Sequence, residues 1–526
     1  MCGILAVLCS SLPKDVQKIL TASKCLSKRG PDSSNSIVKS SGVYVFHRLS
    51  INDISSSGDQ PMISERGVIL MCNGEIYNHV ELEQEYNLKC QSTSDCEVIL
   101  RLYEKIGFVN TVQRLYGVFA IILVDGDKAY FARDRIGVRP LYFGITTERY
   151  LAVSSIPNAL VDFCQTIQSF PPGAIAEHDK KNENVIFRYL YADEIKLSAY
   201  RIPNGPLALR EALTRAIKFR LMSDRPMGCL LSGGLDSSLV ASILVKFLGG
   251  KNVRTYSIGM EGSTDLYYAR KGADYLGTDH HEVLFTPEEG FAVISEVIQA
   301  LASYDITTVR ASVGMYLLAK YIATHTNDKV IFSGEGSDEI LEGYLYFHNA
   351  PNPEEGERES LRLIRNLHLY DVLRADRCIS ANGLELRVPF LDRGMVDVSL
   401  SLPAEDKAPK KGIEKYILRA AFDGYLPEEV LWRVKEGMSD GISSRAKSWY
   451  EHIQERVETK ISNEMFNPQF PSKEAMYYKL IFDHFFPTYK LQIPYWMPKW
   501  CGDIKDPSAR VLKVYKNKLP DEPVPL

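Results

Sequence analysis

Several patterns that would place this chain in a common class are missing. Its ten cysteines lie far apart, with no Cys-x-x-Cys pair and no zinc-ligand spacing. This favours reduced thiols and a cytoplasmic location. Lysine and arginine (62) do not outnumber aspartate and glutamate (66), and the net charge of −4 provides no basic surface for nucleic acid or an anionic membrane. No apolar run reaches the ~18 residues that a membrane span needs.

Targeting and repeat signals are missing as well. The apolar start, 1–12, lacks the positively charged region of a signal peptide, and its apolar part is short. No internal repeat or low-complexity tract is visible. What remains is an ordinary composition, 45% hydrophobic and 24% charged, as in soluble globular proteins. The length of 526 residues is enough for two to four domains.

A loop rich in glycine and serine is the most informative stretch. The apolar run 227–231 predicts a buried strand, and 238–248 predicts a mostly apolar helix. Between them, Gly233 and Gly234 allow a ligand to approach the backbone. The helix start supplies unpaired N–H groups that suit phosphate. The Walker A spacing and its lysine are absent. The alternative is an ordinary strand–turn–helix with serine caps.

This loop resembles the Ser-Gly-Gly-x-Asp-Ser-Ser pyrophosphate loop of ATP pyrophosphatases. The resemblance implies an enzyme that adenylates its substrate and releases pyrophosphate. Asp236 is a candidate ligand for Mg²⁺ bound to a pyrophosphate, because Mg²⁺ prefers oxygen ligands.

The second part of the chain predicts a doubly wound α/β domain. After a polar linker, 192–205, helices alternate with short apolar strands at 253–258, 281–285 and 330–332. Such alternation predicts a parallel sheet, with ligands bound beyond the carboxyl ends of its strands. The residues expected to contact ATP are Leu231, Ser232, Gly233, Gly234, Asp236, Ser237, Ser238, Ile258, Ser333 and Gly334.

The third loop of this domain is acidic. Glu335 and Asp338 lie three residues apart, so both can face the phosphates. Asp338 with Asp236 forms a predicted Mg²⁺ pair. The alternative for this stretch is an acidic turn that caps a helix.

The amino terminus carries a second candidate site. If Met1 is removed, Cys2 bears both a thiol and an α-amine whose reference pKa of ~7.7–8 allows it to act as a general base. The alternative for Cys2 is a small apolar residue at the start of a buried strand. Repeated strands with few helices predict stacked antiparallel sheets with helical faces.

Five separated motifs shift this balance. They are 29–32 (RGPD), 47–49 (HRL), 60–62 (QPM), 72–78 (CNGEIYN) and 94–95 (SD). Their order resembles the N-terminal-nucleophile glutaminase domain of class II glutamine amidotransferases, over about 2–191. The resemblance implies an αββα sandwich.

The same resemblance implies a role for each matching residue. Cys2 would attack the glutamine carboxamide, and Asn73 and Gly74 would supply the oxyanion donors. Arg48 would pair with the α-carboxylate, as its bidentate fork allows. Asp95 would bind the α-ammonium together with Glu75. The alternatives are an ion pair for Arg48 and a hairpin turn for Asn73-Gly74.

Five later stretches, 304–310, 371–377, 383–392, 432–441 and 495–500, resemble the asparagine synthetase family. The likeness covers nearly the whole chain. It implies a glutaminase domain at 2–191, a linker at 192–205, and a synthetase domain at 206–526 with a helical carboxyl-terminal part.

This family resemblance implies synthesis of L-asparagine from L-aspartate and ATP with Mg²⁺, through a β-aspartyl-adenylate. Glutamine or ammonia would supply the nitrogen, and AMP, pyrophosphate and glutamate would be released. Glu335 would help to form the adenylate, and Lys435 and Arg387 would lie near the phosphates and carboxylate. The alternative for Arg387 and Lys435 is ion pairing with Glu385 or Asp440.

Other functions stay open at this point. A β-lactam synthetase-like enzyme usually lacks a working amino-terminal cysteine, and a phosphoribosyl amidotransferase lacks the pyrophosphate loop. A non-catalytic protein that keeps the fold would not need Cys2, Asp236 and Glu335. The expected partners are aspartate, glutamine and ATP, without nucleic acid or membrane. The oligomeric state is open, with a homodimer among the options.

Overall fold

A computed structural model of the chain describes residues 1–181, 184–189 and 195–516. The predicted boundary between 191 and 192 lies outside the described residues, as does the first part of the predicted linker. Within the described part, no helix is long and apolar enough to cross a membrane.

The strands of the described part form three sheets. They are β1 (Gly3–Leu8), β2 (Ser33–Lys39), β3 (Gly42–Arg48), β4 (Met62–Ile63), β5 (Ile69–Ile76), β6 (Gly117–Asp125), β7 (Lys128–Arg133), β8 (Tyr142–Thr146), β9 (Leu151–Ser154), β10 (Cys164–Ser169), β11 (Ala174–Asp179), β12 (Asn184–Tyr189), β13 (Met227–Leu230), β14 (Arg254–Gly259), β15 (Asp279–Leu284), β16 (Val330–Phe332) and β17 (Glu385–Arg387).

The helices flank these sheets and form most of the carboxyl-terminal part. They are α1 (Val16–Ser23), α2 (His79–Tyr86), α3 (Glu97–Ile106), α4 (Phe108–Arg114), α5 (Gly205–Phe219), α6 (Leu235–Leu248), α7 (Thr264–Leu276), α8 (Pro287–Ala292), α9 (Ile294–Leu301), α10 (Ile306–His325), α11 (Ser337–Ile340), α12 (Pro353–Asn366), α13 (Asp371–Ser380), α14 (Arg393–Leu400), α15 (Ala404–Lys407), α16 (Tyr416–Ala421), α17 (Glu428–Leu431), α18 (Met438–Gly441), α19 (Trp449–Glu458), α20 (Lys473–Phe485) and α21 (Lys513–Lys516).

The amino-terminal domain is the predicted αββα sandwich. Two antiparallel sheets, in the orders β10-β8-β9-β1-β3-β2 and β12-β11-β7-β6-β5-β4, pack face to face. Successive side chains of a strand point to opposite faces. Ile4 and Ala6 of β1 therefore join the apolar layer between the sheets, and Leu5 and Val7 pack with Ile19 of α1 on the outer face. Residues of α3 and α4 cover the outer face of the second sheet.

The second domain contains the predicted parallel sheet. Its strand order is β15-β14-β13-β16-β17, and all neighbouring strands run parallel. From β13 the chain continues outward to β14 and β15, and then returns to the other side of β13 to form β16 and β17. The loops after β13 and β16 therefore meet at a topological switch point. Ligands of such sheets bind at this place.

Buried ion pairs join the two domains. Arg29 of the first domain contacts Asp376 of α13 at 2.9 Å, and Arg387 of β17 lies 3.4 Å from Glu75 of β5. Because these side chains are almost fully buried, the interface holds edge strand β17 and helix α13 against the first domain.

Candidate active sites

A small pocket lies beside the amino terminus, where the start of β1, the end of β3 and the later half of β5 meet. It is lined by all six residues predicted to bind or attack glutamine: Cys2, Arg48, Asn73, Gly74, Glu75 and Asp95. Two adjacent antiparallel sheets therefore bring together residues that are more than 90 positions apart in the chain.

A hydrogen bond connects Cys2 to Asn73. The backbone N–H of Cys2 donates to Asn73 Oδ1 at 2.8 Å, and Cys2 Sγ lies 3.7 Å from the carbonyl oxygen of Leu49. Asn73 is fully buried, yet its Nδ2 has no partner among the described residues. Buried donors are nearly always paired. An unpaired amide beside the thiol is therefore a fitting donor to an oxyanion. Burial raises the pKa of the Cys2 thiol.

The opposite side of this pocket is acidic. Asn52 Nδ2 bridges Glu75 Oε2 at 2.5 Å and Asp95 Oδ1 at 3.3 Å, and Asp95 Oδ2 accepts from the N–H of Ile76 at 2.7 Å. Burial raises the pKa of Asp95 and, together with Glu385, that of Glu75. A bound ammonium would be stabilised by these carboxylates.

Arg48 lines the pocket, but its guanidinium is already paired. Nη1 donates to Asp59 Oδ1 at 2.8 Å and to the carbonyl oxygen of Ser55 at 2.6 Å. Nη2 donates to the carbonyl oxygens of Asn52 and Asp53. In this structure Arg48 therefore orders the loop 52–59, and a glutamine carboxylate would have to share it.

Met1 closes the inner end of the pocket. It is 2% exposed, and its amine lies 3.7 Å from Glu385 Oε2 of β17. Burial lowers the pKa of this amine. With Met1 present, the nitrogen of Cys2 is a peptide amide and is not available as a base.

A larger cavity of about 220 Å³ opens at the carboxyl end of the parallel sheet. Most of the predicted nucleotide residues line it: Leu231, Ser232, Gly234, Asp236, Ser237, Ile258, Ser333, Gly334, Glu335, Asp338 and Lys435. Gly233 and Ser238 do not line the cavity. Ser238 is fully buried, so its side chain does not reach the cavity.

The pyrophosphate loop is shaped by glycine and by the start of a helix. Gly233 has φ +67°, a conformation that favours glycine, and a Cβ there would overlap the backbone of Tyr268 and Ala269. Helix α6 begins at Leu235, three residues before the predicted start, so Asp236 lies in its first turn. Ser237 Oγ accepts from the N–H of Ser232 at 3.1 Å and closes the loop.

Two lysines hold the carboxylates that were predicted to bind Mg²⁺. Lys415 Nζ lies 2.6 Å from Asp236 Oδ2 and 2.6 Å from Asp338 Oδ1, and Lys435 Nζ lies 2.7 Å from Asp338 Oδ2. Lys415 and Lys435 hold the pKa of Asp338 well below its usual range, against the effect of burial. Ser337 Oγ also donates to Asp236 Oδ1 at 2.8 Å, which joins the first and third loops.

Glu335 is held by a bidentate partner. Arg374 Nη1 and Nη2 donate to the two carboxylate oxygens of Glu335 at 3.1 and 2.8 Å, and Nη2 also donates to Asp371 at 2.7 Å. Burial raises the pKa of Glu335 even so, while Arg374 opposes that effect. The carboxylate is thus fixed in orientation at the wall of the cavity.

Arg387 lies away from the phosphate pocket, which corrects the position expected for it. Its guanidinium contacts Glu385 at 2.9 Å and Glu75 at 3.4 Å, and donates to the carbonyl oxygens of Arg220 and Met222. The alternative of ion pairing with Glu385 is the arrangement found. The side chain reaches Glu75, which lines the glutaminase pocket, because it lies on the strand face that carries Glu385.

Four functional candidates were missing from the prediction: Asn52, Arg374, Lys415 and Arg433. Arg433 donates to the carbonyl oxygen of Ser232 at 3.1 Å and to Asp265 at 2.8 Å. Arg374 and Arg433 lie inside the stretches that carried the family resemblance, so their charge in those stretches was the available signal. Lys415 and Asn52 had none, because only the fold brings them to the sites.

Asp236 and Asp338 can supply two of the oxygen ligands of a magnesium ion, and the remaining ligands would come from substrate phosphates and water. No cluster of three or more His, Cys, Asp or Glu that could hold a metal occurs in residues 1–181, 184–189 and 195–516. Mg²⁺ commonly binds to one or two carboxylates and completes its shell with substrate phosphates and water. Two carboxylates beside a phosphate-type loop match that mode.

Comparisons with known proteins agree with these two sites. A family model described as glutamine amidotransferase domain matches residues 1–198. A second model, described as asparagine synthase, matches 208–362 and 351–501. The chain is therefore a two-part protein with an amidotransferase domain followed by a synthetase domain.

Full-length relatives specify the family. The chain is 45% identical to the asparagine synthetase [glutamine-hydrolyzing] of Rattus norvegicus, over 98% of this chain and 99% of that protein. It is 44% identical to the Homo sapiens enzyme and 43% identical to the Gallus gallus enzyme, over 99% of this chain and 100% of each relative. The chain belongs to the asparagine synthetase family.

Proposed function

We propose that this chain synthesises L-asparagine from L-aspartate and ATP, with glutamine or ammonia as the nitrogen source. The observation that carries the proposal is the presence of two different pockets in one chain. One holds a cysteine beside an unpaired buried amide, and the other holds a phosphate-type loop at the carboxyl end of a parallel sheet.

The glutaminase half begins with Cys2. After removal of Met1, its α-amine becomes free to accept the thiol proton, and the thiolate attacks the glutamine carboxamide. Asn73 Nδ2, with Gly74, stabilises the oxyanion that forms. Asp95 and Glu75 orient the α-ammonium of glutamine. Collapse of the tetrahedral intermediate breaks the C–N bond, leaves a thioester on Cys2 and releases ammonia, which takes back the proton held by the α-amine. Water then hydrolyses the thioester to glutamate and frees the thiol. The ammonia must travel as NH₃ because ammonium is not a nucleophile.

The synthetase half activates aspartate. The side-chain carboxylate attacks the α-phosphorus of ATP to give β-aspartyl-adenylate and pyrophosphate, and ammonia then displaces AMP. The loop amides at the start of α6, together with Lys435, stabilise the negative charge of the departing pyrophosphate. Glu335, fixed by Arg374, borders the reacting groups. Asp236 and Asp338 would hold Mg²⁺, which supplies further charge neutralisation on the phosphates.

A cytoplasmic location is also part of the proposal. It is supported by ten free cysteines scattered through the chain. A homodimer remains among the options for the oligomeric state, and sedimentation velocity distinguishes it from a monomer.

The test measures pyrophosphate and asparagine with either nitrogen source. Cys2→Ala should abolish glutamine-dependent synthesis and leave ammonia-dependent synthesis within about twofold, since the two sites are separate. Asp236→Asn should block pyrophosphate release with both nitrogen sources. Loss of both activities in folded Cys2→Ala protein, or near-normal pyrophosphate release by Asp236→Asn, would contradict the proposal. A mass measurement establishes whether Met1 is removed.

A further inference from the structure

Lys415 occupies the space between the two carboxylates predicted to bind Mg²⁺. Its Nζ lies 2.7 and 2.6 Å from the two oxygens of Asp236, 2.6 Å from Asp338 Oδ1 and 3.3 Å from Ser337 Oγ. The side chain is 1% exposed, although it also borders the nucleotide cavity. One ammonium thus serves as the counter-ion of both acids.

The fold makes special provision for this side chain. Lys415 has left-handed backbone angles, φ 53° and ψ 34°, which L-residues other than Asn and Asp seldom adopt. Gly343 lies directly against it, and a Cβ on Gly343 would overlap Lys415 Cε. Lys415 therefore keeps an unfavourable backbone conformation, and the missing side chain of Gly343 leaves space for the lysine side chain. Together these two features place the ammonium between the two acids.

The site cannot hold this ammonium and a metal ion at the same time. Asp236 Oδ2 and Asp338 Oδ1 each lie 2.6 Å from Lys415 Nζ, so a divalent cation bound to these two oxygens would occupy the position of the ammonium. Binding of metal with ATP must therefore move the ammonium. Because Lys415 borders the same cavity as the pyrophosphate loop, the phosphates are the nearest anionic partners for it.

We propose that Lys415 is a pyrophosphate-binding residue that takes the place of the metal in the nucleotide-free protein. It holds Asp236 and Asp338 at metal-binding distance until Mg²⁺ arrives with ATP. The displaced ammonium then turns to the β- and γ-phosphates and returns to the acids when pyrophosphate leaves. This inference rests on the proposed function, because it assigns a phosphate group to the cavity.

The variant Lys415→Met tests this exchange through direct binding. In nucleotide-free protein, Mn²⁺ affinity measured by electron paramagnetic resonance should rise at least about tenfold, because the competing charge is gone. With Mg²⁺ present, the affinity for inorganic pyrophosphate measured by calorimetry should fall about tenfold, because a charge-assisted contact is lost. Unchanged or weaker Mn²⁺ binding would overturn the proposal, and so would unchanged pyrophosphate binding.

Two further variants separate this role from a structural one. Lys411→Met removes an exposed lysine from the same loop that also has positive φ, and it should change neither affinity. Lys415→Gln keeps a hydrogen-bond donor but removes the charge, so Mn²⁺ affinity should again rise. If Lys415→Met fails to fold, Lys415→Gln decides the matter, and unaltered Mn²⁺ affinity there would refute the exchange.

The binding tests can be told apart from a failure of the proposed function. They use neither aspartate nor glutamine, so a wild-type chain that made no asparagine would overturn the function and leave the Mn²⁺ and pyrophosphate results intact. Conversely, normal asparagine synthesis with unchanged Mn²⁺ affinity in Lys415→Met would overturn only the role of Lys415.

Discussion

Arg387→Met should cost stability and leave nucleotide chemistry largely intact. Arg387 is 1% exposed and neutralises Glu385 and Glu75 across the domain interface. Removing one partner of a buried ion pair leaves an uncompensated charge and typically costs about 3–5 kcal/mol. Methionine fills most of the volume, so the loss comes mainly from charge and not from a cavity.

That cost translates into a measurable shift of the thermal midpoint. For a domain of about 150–250 residues, each kcal/mol lowers the midpoint by roughly 2–4 °C, so the variant should unfold roughly 6–20 °C below the wild type. Arg358→Met is the matched control. Arg358 is an exposed arginine paired with Glu355 on α12, and such pairs contribute about 0–1 kcal/mol.

Activity provides the second half of this test. At a temperature where Arg387→Met is folded, ammonia-dependent pyrophosphate release should stay within a few-fold of the wild type, since the side chain is turned away from the cavity. Lys435→Met should lose about 100-fold or more, as expected for a group that stabilises transition-state charge. A stable Arg387→Met protein with a large loss of ATP-dependent activity would refute the placement of this arginine.

Three further outcomes are expected. Gly233→Ala should abolish ATP binding measured by calorimetry, because the added methyl overlaps the backbone of Tyr268, whereas alanine at exposed Gly262 should not. Asn73→Ala should lower the glutaminase rate about 100-fold with little change in glutamine KM, since an oxyanion donor acts in the transition state. Burial raises the pKa of Glu342 to about 8 from an ordinary value of 4.5, so stability falls as pH rises between these values. Glu342→Gln should remove this loss of stability at high pH. At pH 8.5 the free energy of unfolding of the variant should exceed that of the wild type by about 1 kcal/mol or more, and urea unfolding at pH 5.5 and 8.5 measures the difference.

The parallel sheet was largely predictable because its inner strands are apolar and short. The prediction at 330–332 coincides with β16, and the one at 253–258 is one residue from β14. Buried parallel strands read as continuous hydrophobic runs, and that pattern is visible without any tertiary information.

The helical stretch after β15 is harder to divide into helices from sequence. It contains three helices, α8, α9 and α10. The break before α10 is set by Ala302, which has φ 51°, and by Asp305, which caps the next helix. Alanine usually favours helix, so the end of α9 at Ala302 depends on tertiary contacts and has no local signal.

Strand β17 explains why Arg387 could not be placed from sequence. It has three residues and lies between helices, so its alternation is too short to detect. Residues two apart on a strand share a face, and Glu385 and Arg387 therefore both point toward Glu75 and Met1. The backbone of the same residue points elsewhere, because the carbonyl oxygen of Arg387 accepts from the N–H of Ser333 at 2.9 Å. The side chain of Arg387 thus contacts Glu75 in the glutaminase pocket, whereas its backbone contacts the nucleotide loop. This division follows from the parallel pairing of β16 with β17, which the sequence alone does not reveal.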